Sequence, residues 1–352
     1  MMAVSHPFGR LQDLPRHALA HVPTPLEPMA NLSRVLSGPA LYVKRDDCTG
    51  LAFGGNKVRQ LEFYFGEALA AEADTVLLTS AVQSNYVRTA AAFARRLGMQ
   101  CYAQLEERVP APGPLYHRSG NVLLDRLMAT ELSGYPVGED EAGADAAVYD
   151  LAAKVRAEGG RPYVIPLAPG HRPLGSLGYV LAAKELLAQL SEVGVAGAHI
   201  FVASGSAATH AGLLWGLRAL GSAIPVTGIC VRRDAASQND RVAGRLTGLD
   251  ELLGRPLAVP PDAIVLDDSV LAPGYGRLND HVREAIGLAA RCEGLFLDPV
   301  YTGKTMAGLI AAIRDRRLGS NETAVLLHTG GTPALFAYDE DLFISSPPAA
   351  PG

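Results

Sequence analysis

The sequence contains 352 residues, of which 48% are hydrophobic, and it carries a formal net charge of −5 at pH 7. This length exceeds the ~250–300 residues at which a single hydrophobic core stops growing, so we expect two domains or one large domain with a lobe. The nearly balanced charge and the lack of a basic stretch argue against binding of nucleic acid. No run of ~18 apolar residues occurs, so we expect no membrane-spanning segment.

Short apolar runs alternate with longer segments of helical periodicity along the chain. The predicted strands are Thr75–Thr79, Cys101–Leu105, Tyr163–Ile165, His199–Ala203, Val226–Val231, Leu295–Leu297 and Ala324–His328. The predicted helices are Val87–Leu97, Leu177–Leu190 and Thr209–Leu220. This alternation predicts an α/β fold with parallel sheets covered by helices on both faces. Ligands of such sheets bind beyond the carboxyl ends of the strands, so we expect the functional residues in the loops there.

The cysteines indicate neither a metal site nor a disulfide framework, because they are widely spaced and form no CxxC pair. They are Cys48, Cys101, Cys230 and Cys292. Reduced thiols are the simplest interpretation, and they predict a cytoplasmic protein. No metal is expected, since the sequence has no HExxH motif.

The first candidate motif is Gly54–Glu62, in which two glycines allow a tight turn into a helix that carries Lys57 in its first turn. The helix dipole disfavours a positive charge at that position. This field, together with burial, favours the neutral amine, which is the form that condenses with an aldehyde. The same nine residues are equally compatible with an exposed surface lysine.

The second motif, Ser80–Tyr86, follows a predicted strand and leads into a predicted helix near Val87. Polar side chains and free amides at such a point can hold a carboxylate. Taken alone, Ser84 and Asn85 are also typical of residues that only cap a helix.

The third motif, Ser204–Thr209, joins a predicted strand to a predicted helix. Its successive N–H groups, its hydroxyls and the helix N-terminus suit a phosphate monoester. The motif matches neither GxGxxG nor GxxxxGK(S/T), so neither a dinucleotide nor a nucleoside triphosphate is expected. A plain turn between strand and helix is the alternative.

Two further motifs, Asp298–Lys304 and His328–Pro333, also follow predicted strands. Tyr301 is a candidate for moving a proton. Thr302 or Thr329 is a candidate for a hydrogen bond to a ring nitrogen.

In this order the five motifs resemble those of the fold-type II pyridoxal 5′-phosphate (PLP) enzymes, the tryptophan synthase β-like family. Within it the sequence is most similar to the group that contains D-cysteine desulfhydrase, 1-aminocyclopropane-1-carboxylate (ACC) deaminase and L-cysteate sulfo-lyase. The resemblance extends from Pro23 to Tyr338. It implies two open, twisted, parallel-sheet domains of three layers. The large PLP-binding domain would comprise residues 1–58 and 172–340 and the small domain residues 59–171, with a disordered tail at 341–352.

The resemblance implies that Lys57 is the lysine that forms an imine with PLP. Asn85 corresponds to the residue that hydrogen-bonds the PLP phenolic oxygen. Ser84 corresponds to the serine near the substrate carboxylate, which is a proposed nucleophile in ACC deaminases. Tyr301 and Tyr275 correspond to active-site tyrosines. The residues implied to form the phosphate cradle are Ser204, Gly205, Ser206, Ala207, Ala208 and Thr209.

Thr302 and Thr329 resemble neutral contacts to the pyridine nitrogen of PLP. Desulfhydrase-like members share the sequence Tyr-Thr-Gly-Lys, whereas ACC deaminases carry a glutamate where Thr302 stands. A neutral partner leaves the ring unprotonated and a weaker electron sink, which favours elimination over transamination.

The sequence departs from the family pattern at several positions. Tyr86 stands where histidine is usual, Gln60 where a phosphate-binding lysine is usual, and Ala207 and Ala208 where paired glycines are usual. A segment ending at His171 replaces a Gly-Gly-Ser-Asn type segment near the substrate. We expect the missing lysine to weaken PLP binding, and we expect the tyrosine and His171 to contact the substrate.

These features predict a PLP-dependent lyase or deaminase that acts on a small amino acid, by α,β-elimination to a keto acid, ammonia and sulfide. L-cysteate sulfo-lyase and ACC deaminase activities are the alternatives within the family, and Thr302 argues against the second. A PLP-binding protein without catalysis and a cofactor-free phosphate-binding protein are the alternatives from other classes. The resemblance also implies a homodimer, while the substrate, its chirality and its leaving group stay open.

Overall fold

The computed structural model describes residues 7–343. Its strands are β1 Leu26–Pro28, β2 Ala40–Lys44, β3 Thr75–Ala81, β4 Gln100–Glu106, β5 Glu131–Tyr135, β6 Pro162–Ile165, β7 His199–Ser204, β8 Val226–Cys230, β9 Val265–Asp267 and β10 Thr323–Leu327. Its helices are α1 Ala30–Leu36, α2 Asn56–Ala70, α3 Asn85–Arg96, α4 Gly120–Leu127, α5 Glu141–Ala157, α6 Leu174–Glu192, α7 Ala208–Ala219, α8 Ala235–Leu253, α9 Asp280–Glu293, α10 Thr302–Arg314 and α11 Asp339–Leu342. The predicted disordered tail overlaps α11 at its first residues, and residues 344–352 lie outside the described residues.

The strands form two sheets. The larger has the order β1-β2-β10-β7-β8-β9 and is parallel except for β1, which pairs antiparallel with β2. The smaller has the order β5-β4-β3-β6 and is parallel throughout. The predicted α/β class with two mainly parallel sheets is therefore confirmed.

Strand β3 shows why this sequence forms a sheet buried on both faces. Val76 and Leu78 pack into the main core, whereas Leu77 packs against Val148 and Ala152 of α5 on the other face. All three strand residues are fully buried. Successive strand side chains point to opposite faces, so a continuous apolar run fits a strand with helices on both sides.

Helices α6 and α7 pack very closely, and this packing fixes where α7 begins. A Cβ on Gly212 would lie 2.2 Å from the carbonyl oxygen of Ser176, and one on Gly216 would lie 2.8 Å from that of Val180. Any larger side chain would push the helices apart. The buried indole of Trp215 donates to Asp250 Oδ1 at 2.7 Å, which ties α7 to α8.

The prediction of a strand at Leu295–Leu297 is wrong, because the structure assigns no strand there. The alternating burial of Leu295, Phe296 and Leu297 imitates a strand. The backbone nevertheless bonds outside any ladder: Leu295 N donates to Ala289 O at 3.2 Å, and Phe296 O lies 3.1 Å from His328 Nε2. Among the helices of residues 7–343, none is long and apolar enough to span a membrane.

Candidate active site

One cavity collects most of the residues singled out from the sequence. It lies where β3 and β7 end and where α2, α3 and α7 begin. The predicted site residues on its wall are Lys57, Ser84, Asn85, Tyr86, Gly205, Ser206, Ala207, Ala208, Thr209, Tyr275, Tyr301 and Thr329. Loops at the carboxyl ends of parallel strands meet at one edge of a sheet, which explains why motifs distant in sequence converge here.

Three predicted site residues lie off this wall. Ser204 is fully buried, and its hydroxyl accepts from Gln238 Nε2 at 2.9 Å. The hydroxyl of Thr302 donates to Asp298 Oδ1 at 2.7 Å, so it turns away from the cavity. His171 lines a separate surface pocket, with its Nε2 3.5 Å from Asp145 Oδ2. The structure therefore does not bring Thr302 and His171 to the cavity, because each side chain is held by a carboxylate elsewhere.

The turn before α2 sets the position of Lys57. Gly54 and Gly55 have φ angles of +64° and +112°, in the region that favours glycine. A Cβ on Gly54 would lie 2.0 Å from Asp47 O. The turn is tied down where Asn56 N donates to Thr329 O at 3.0 Å. Both glycines are therefore needed to start α2 at the cavity wall.

A buried ion cluster fixes the next turn of α2. The Arg59 guanidinium lies 3.0 Å from Asp46 Oδ1 and 2.8 Å from Glu185 Oε1. Tyr179 also donates to Asp46, and Lys44 also donates to Glu185. Because these groups are paired and all but the partly exposed Glu185 are buried, α2 is held firmly beside β2 and α6.

The Lys57 amine has the properties that condensation with an aldehyde requires. Burial, and next the nearby Arg245 charge, lower the pKa of Lys57 to about 8. Its Nζ donates to Gln60 Oε1 at 3.2 Å and lies 5.2 Å from the centre of the Tyr86 ring. No carboxylate within residues 7–343 forms an ion pair with it, so only these two neutral contacts favour the ammonium form there. Desolvation thus favours the neutral amine.

At the start of α3, Ser84 caps the helix. Its Oγ accepts from Tyr86 N and Val87 N, both at 3.1 Å. The residue is buried but borders the cavity. The capping interpretation of Ser84 is thus what the geometry shows, and the hydroxyl hydrogen stays available to donate to a ligand.

Asn85 is held by a buried polar network. Arg88 donates to Asn85 Oδ1 at 2.7 Å, and Asn121 Nδ2 donates to the same oxygen at 3.0 Å. Arg88 also donates to Gly54 O at 3.1 Å, and burial lowers the pKa of Arg88 to about 10. Both donors use the Asn85 oxygen, so its Nδ2 group is left to donate into the cavity.

The start of α7 offers free donors. Ala207 has a φ of +67° and no side chain that can cap the helix. The first N–H groups of a helix have no carbonyl partner within it. Ala208 N makes only a long 3.5 Å contact with Ser206 Oγ. Thr209 Oγ1 accepts from Asn56 Nδ2 at 2.9 Å and from Gln60 Nε2 at 2.8 Å, which joins α2 to this cradle.

Two tyrosines also line the cavity, and Tyr301 lies beside Gly205. The hydroxyls of Tyr275 and Tyr301 are 2.7 Å apart. Burial raises the pKa of both phenols, so both are protonated near neutral pH. The Arg108 guanidinium, paired with Glu106, lies 5.8 Å from the centre of the Tyr275 ring. The pair can therefore act as a proton donor.

Several charged wall residues were not predicted from the sequence. These are Arg108, Glu141, Arg232 and Arg245. Glu141 pairs with Arg232 and also lies 2.8 Å from Arg241 NH1. Arg232 follows β8, so the rule that places ligands after strands could have found it. Arg245 lies in the middle of α8, where no local pattern marks it.

The residues present fit PLP by their chemistry. An amine with a lowered pKa, an asparagine amide and a neutral cradle of free N–H groups line one cavity. A primary amine suits the aldehyde, and a helix N-terminus suits the phosphate. No cluster that could hold a metal ion is found among residues 7–343.

Fold and site together define an α/β enzyme that uses PLP. A family model described as "Pyridoxal-phosphate dependent enzyme" matches residues 18–330, so the chain belongs to this family. The chain is a PLP-dependent lyase, and the predicted family and cofactor are confirmed.

Individual proteins of known name are also similar to this chain. Proteins named D-cysteine desulfhydrase from Salmonella choleraesuis (strain SC-B67) and Salmonella typhi are 44% identical over 333 residues, which are 94% of this chain and 98% of each relative. A crystal structure described as an ACC deaminase homologue superposes with a TM-score of 0.85 at 35% identity, covering 97% of this chain and 99% of that one. O-ureido-L-serine synthase, at 17% identity and a TM-score of 0.64, shares the fold over 97% of both chains.

Proposed function

We propose that this chain catalyses α,β-elimination from a small amino acid with a thiol on Cβ, and that D-cysteine is a substrate. The relatives named D-cysteine desulfhydrase support that choice. The observation that carries the proposal is the single cavity shared by the Lys57 amine, the Asn85 amide and the open start of α7.

The residues that line the cavity suggest how the chain would hold PLP. Lys57 would hold the aldehyde carbon of PLP, and the first N–H groups of α7 would hold its phosphate. Asn85 Nδ2 would donate to the phenolic oxygen, and Thr329 would face the ring nitrogen. When bound, PLP supplies an electron sink for the negative charge that develops at the substrate Cα.

The proton transfers fall to side chains of this chain. The Lys57 amine takes the proton from Cα, since its lowered pKa keeps a useful fraction neutral near pH 7. The Cβ–S bond breaks with its electron pair on sulfur, and Tyr301 donates the proton that completes sulfide. Tyr275, 2.7 Å away, holds the Tyr301 hydroxyl in place. Hydrolysis of the remaining fragment by water gives the keto acid and ammonia.

The α3 start is the proposed site of the substrate carboxylate. Ser84 Oγ already accepts from two amides, so its hydrogen is free to donate to a carboxylate oxygen. The Tyr86 ring lies under the amine of Lys57, so it would limit the space beside the substrate.

The attachment site is tested by borohydride reduction of the PLP-loaded protein followed by peptide mapping. We expect the reduced pyridoxyl group on Lys57 and none in a Lys57→Ala variant. Lys154→Ala, which changes an exposed lysine of α5, is the matched control and should label like the parent. A pyridoxyl group on another lysine of the parent protein would overturn the assignment.

The reaction is tested with both enantiomers of cysteine, L-cysteate and ACC, measuring sulfide, sulfite, ammonia and keto acid. We expect sulfide and keto acid in equal amounts from D-cysteine. Turnover of L-cysteate or ACC without turnover of D-cysteine would replace the proposed substrate. Labelling of Lys57 without turnover of any compound would favour a PLP-binding protein without catalysis.

We further propose a homodimer in the cytoplasm and a domain division at residues 58 and 172. The family resemblance supports the dimer, and the free state of all four cysteines supports a reducing compartment. All strands of the smaller sheet lie between residues 59 and 171, which supports the division. Light scattering of the purified protein tests the dimer, which a monomer mass would overturn.

A further inference from the structure

Arg245 is an unpaired cation on the wall of the active-site cavity. Two other wall arginines have acidic partners, since Arg108 pairs with Glu106 and Arg232 pairs with Glu141. The Arg245 guanidinium makes no hydrogen bond or ion pair with any residue in 7–343. The side chain is half-buried and also borders the surface pocket that contains His171, so its guanidinium is open to solvent and free to bind an anionic ligand.

Arg245 lines the same cavity as Gln60 and Thr209. Its positive charge acts on Lys57 and Tyr64 of α2 and on Tyr86. Lys57, Gln60 and Tyr64 are spaced by three and four residues, so they share one face of α2. Gln60 therefore lies between two residues that feel the charge, and its amide contacts Thr209 at the start of α7.

The donors on this part of the cradle are neutral, and Arg233, which donates to Gly205 O at 3.3 Å, is paired with Glu141. The neutral donors are the Asn56 and Gln60 amides, the Thr209 hydroxyl and the free N–H groups of α7. A phosphate monoester carries a charge of about −1.5 to −2 at pH 7. Neutral donors can bind this group, but a guanidinium adds charge-assisted, bidentate hydrogen bonds to its oxygens.

We propose that Arg245 is the charged partner of the PLP phosphate and supplies from α8 the cation that position 60 of α2 lacks. The Gln60 amide then orders Thr209 and does not neutralise the phosphate. This inference rests on the binding of PLP at Lys57 proposed above. A contact of Arg245 with an anionic group of the substrate is the competing role, and the following experiment separates the two.

The experiment compares the parent protein with Arg245→Gln, Arg245→Lys, Gln60→Lys and the double variant Arg245→Gln/Gln60→Lys. Each protein is freed of cofactor and titrated with PLP, and then with pyridoxal, which lacks the phosphate. Binding is followed by the visible absorbance of the bound cofactor. Inorganic phosphate is added as a competitor in a second series. Arg291→Gln, an exposed arginine of α9, is the matched control.

We expect Arg245→Gln to weaken PLP binding roughly ten- to a hundredfold, as for loss of a hydrogen bond between charged groups. Pyridoxal binding should weaken far less, by no more than follows from losing the Arg245 charge beside Lys57, and competition by phosphate should weaken. Arg245→Lys should keep most of the affinity, and Gln60→Lys should restore it in the double variant.

Equal PLP affinity of Arg245→Gln and the parent, with a raised KM for substrate, would overturn the inference in favour of substrate binding. An equal loss of affinity for PLP and pyridoxal would overturn it as well, because the phosphate would then not be the group involved. If the parent protein shows no reduced adduct at Lys57, the proposed site fails. If the adduct forms and Arg245→Gln binds PLP normally, only the inference fails.

Discussion

The N-termini of α3 and α7 face the same cavity, but α3 has a side-chain cap and α7 has none. At α3 the Ser84 hydroxyl accepts from the N–H groups of Tyr86 and Val87. At α7 no side chain caps the helix, and Ala207 enters it with a φ of +67°. Serine is among the best N-cap residues and alanine among the poorest, so the residue types themselves create the difference.

This contrast makes two similar strand–helix junctions suitable for different ligands. A capped helix start has used its amides and offers a hydroxyl hydrogen, which suits a single carboxylate. An open helix start keeps its N–H groups and its positive dipole end, which suits a phosphate. The α7 start is therefore the proposed phosphate cradle, and the α3 start is the proposed substrate side.

The largest expected effect comes from closing the open start. In Ala208→Asp the new carboxylate would stand in the first turn of α7, near its free N–H groups, and repel a phosphate. We expect PLP affinity to fall by roughly a hundredfold or more, because a charge-assisted contact is replaced by repulsion between like charges. Titration of the cofactor-free variant with PLP measures this.

The control for that variant is its folding. An aspartate near a helix N-terminus stabilises the helix, so the cofactor-free variant should unfold at no lower temperature than the parent. Unchanged PLP affinity in a folded Ala208→Asp protein would show that α7 does not hold the phosphate.

The second prediction concerns α2, the third helix that starts at this cavity. With a pKa lowered to about 8 by burial and by Arg245, roughly a tenth of Lys57 is neutral at pH 7. The rate at which PLP joins the cofactor-free protein should therefore rise about tenfold from pH 7 and level off above pH 8. Stopped-flow absorbance at several pH values measures it. A rate still rising in proportion to hydroxide near pH 10 would contradict the lowered pKa.

The third prediction tests the capped start with a pair of variants. Ser84→Ala removes the cap and should lower stability by about 1 kcal/mol. Ser84→Asp keeps a cap but repels a carboxylate. We expect both to raise KM for the amino acid, the aspartate more strongly, while PLP affinity stays near that of the parent. If Ser84→Asp binds substrate as the parent does, the carboxylate lies elsewhere.

The smallest expected effect concerns the backbone at the open start. Ala207 occupies the left-handed region, which costs a non-glycine residue about 1 kcal/mol. Ala207→Gly should relieve this cost and raise the free energy of unfolding by up to about 1 kcal/mol. The gain is reduced by the larger conformational entropy that glycine has in the unfolded chain. Denaturant unfolding of the cofactor-free protein measures it, with Ala208→Gly as the control that should destabilise. A loss of stability in Ala207→Gly would contradict strain at this position.

The regular elements were the easiest part to predict. The predicted strands at 75–79, 101–105 and 199–203 each lie inside β3, β4 and β7, because apolar runs buried on both faces leave a strong local pattern. The run at 295–297 carries the same pattern without a strand, since its backbone bonds to α9 and to His328. Local periodicity reports burial, and it does not report which backbone partner a segment finds.

The sequence by itself determined the α/β class, the PLP family and the order of the motifs that bring Lys57 and the 204–209 loop to one cavity. The tertiary structure decided which side chains face that cavity. It turned Thr302 toward Asp298 and His171 toward Asp145, and it brought Arg245 from α8 to the wall. The physical reason is that strand and helix patterns depend on residues close together in sequence. The direction of a side chain depends on partners far along the chain, which only tertiary packing brings near.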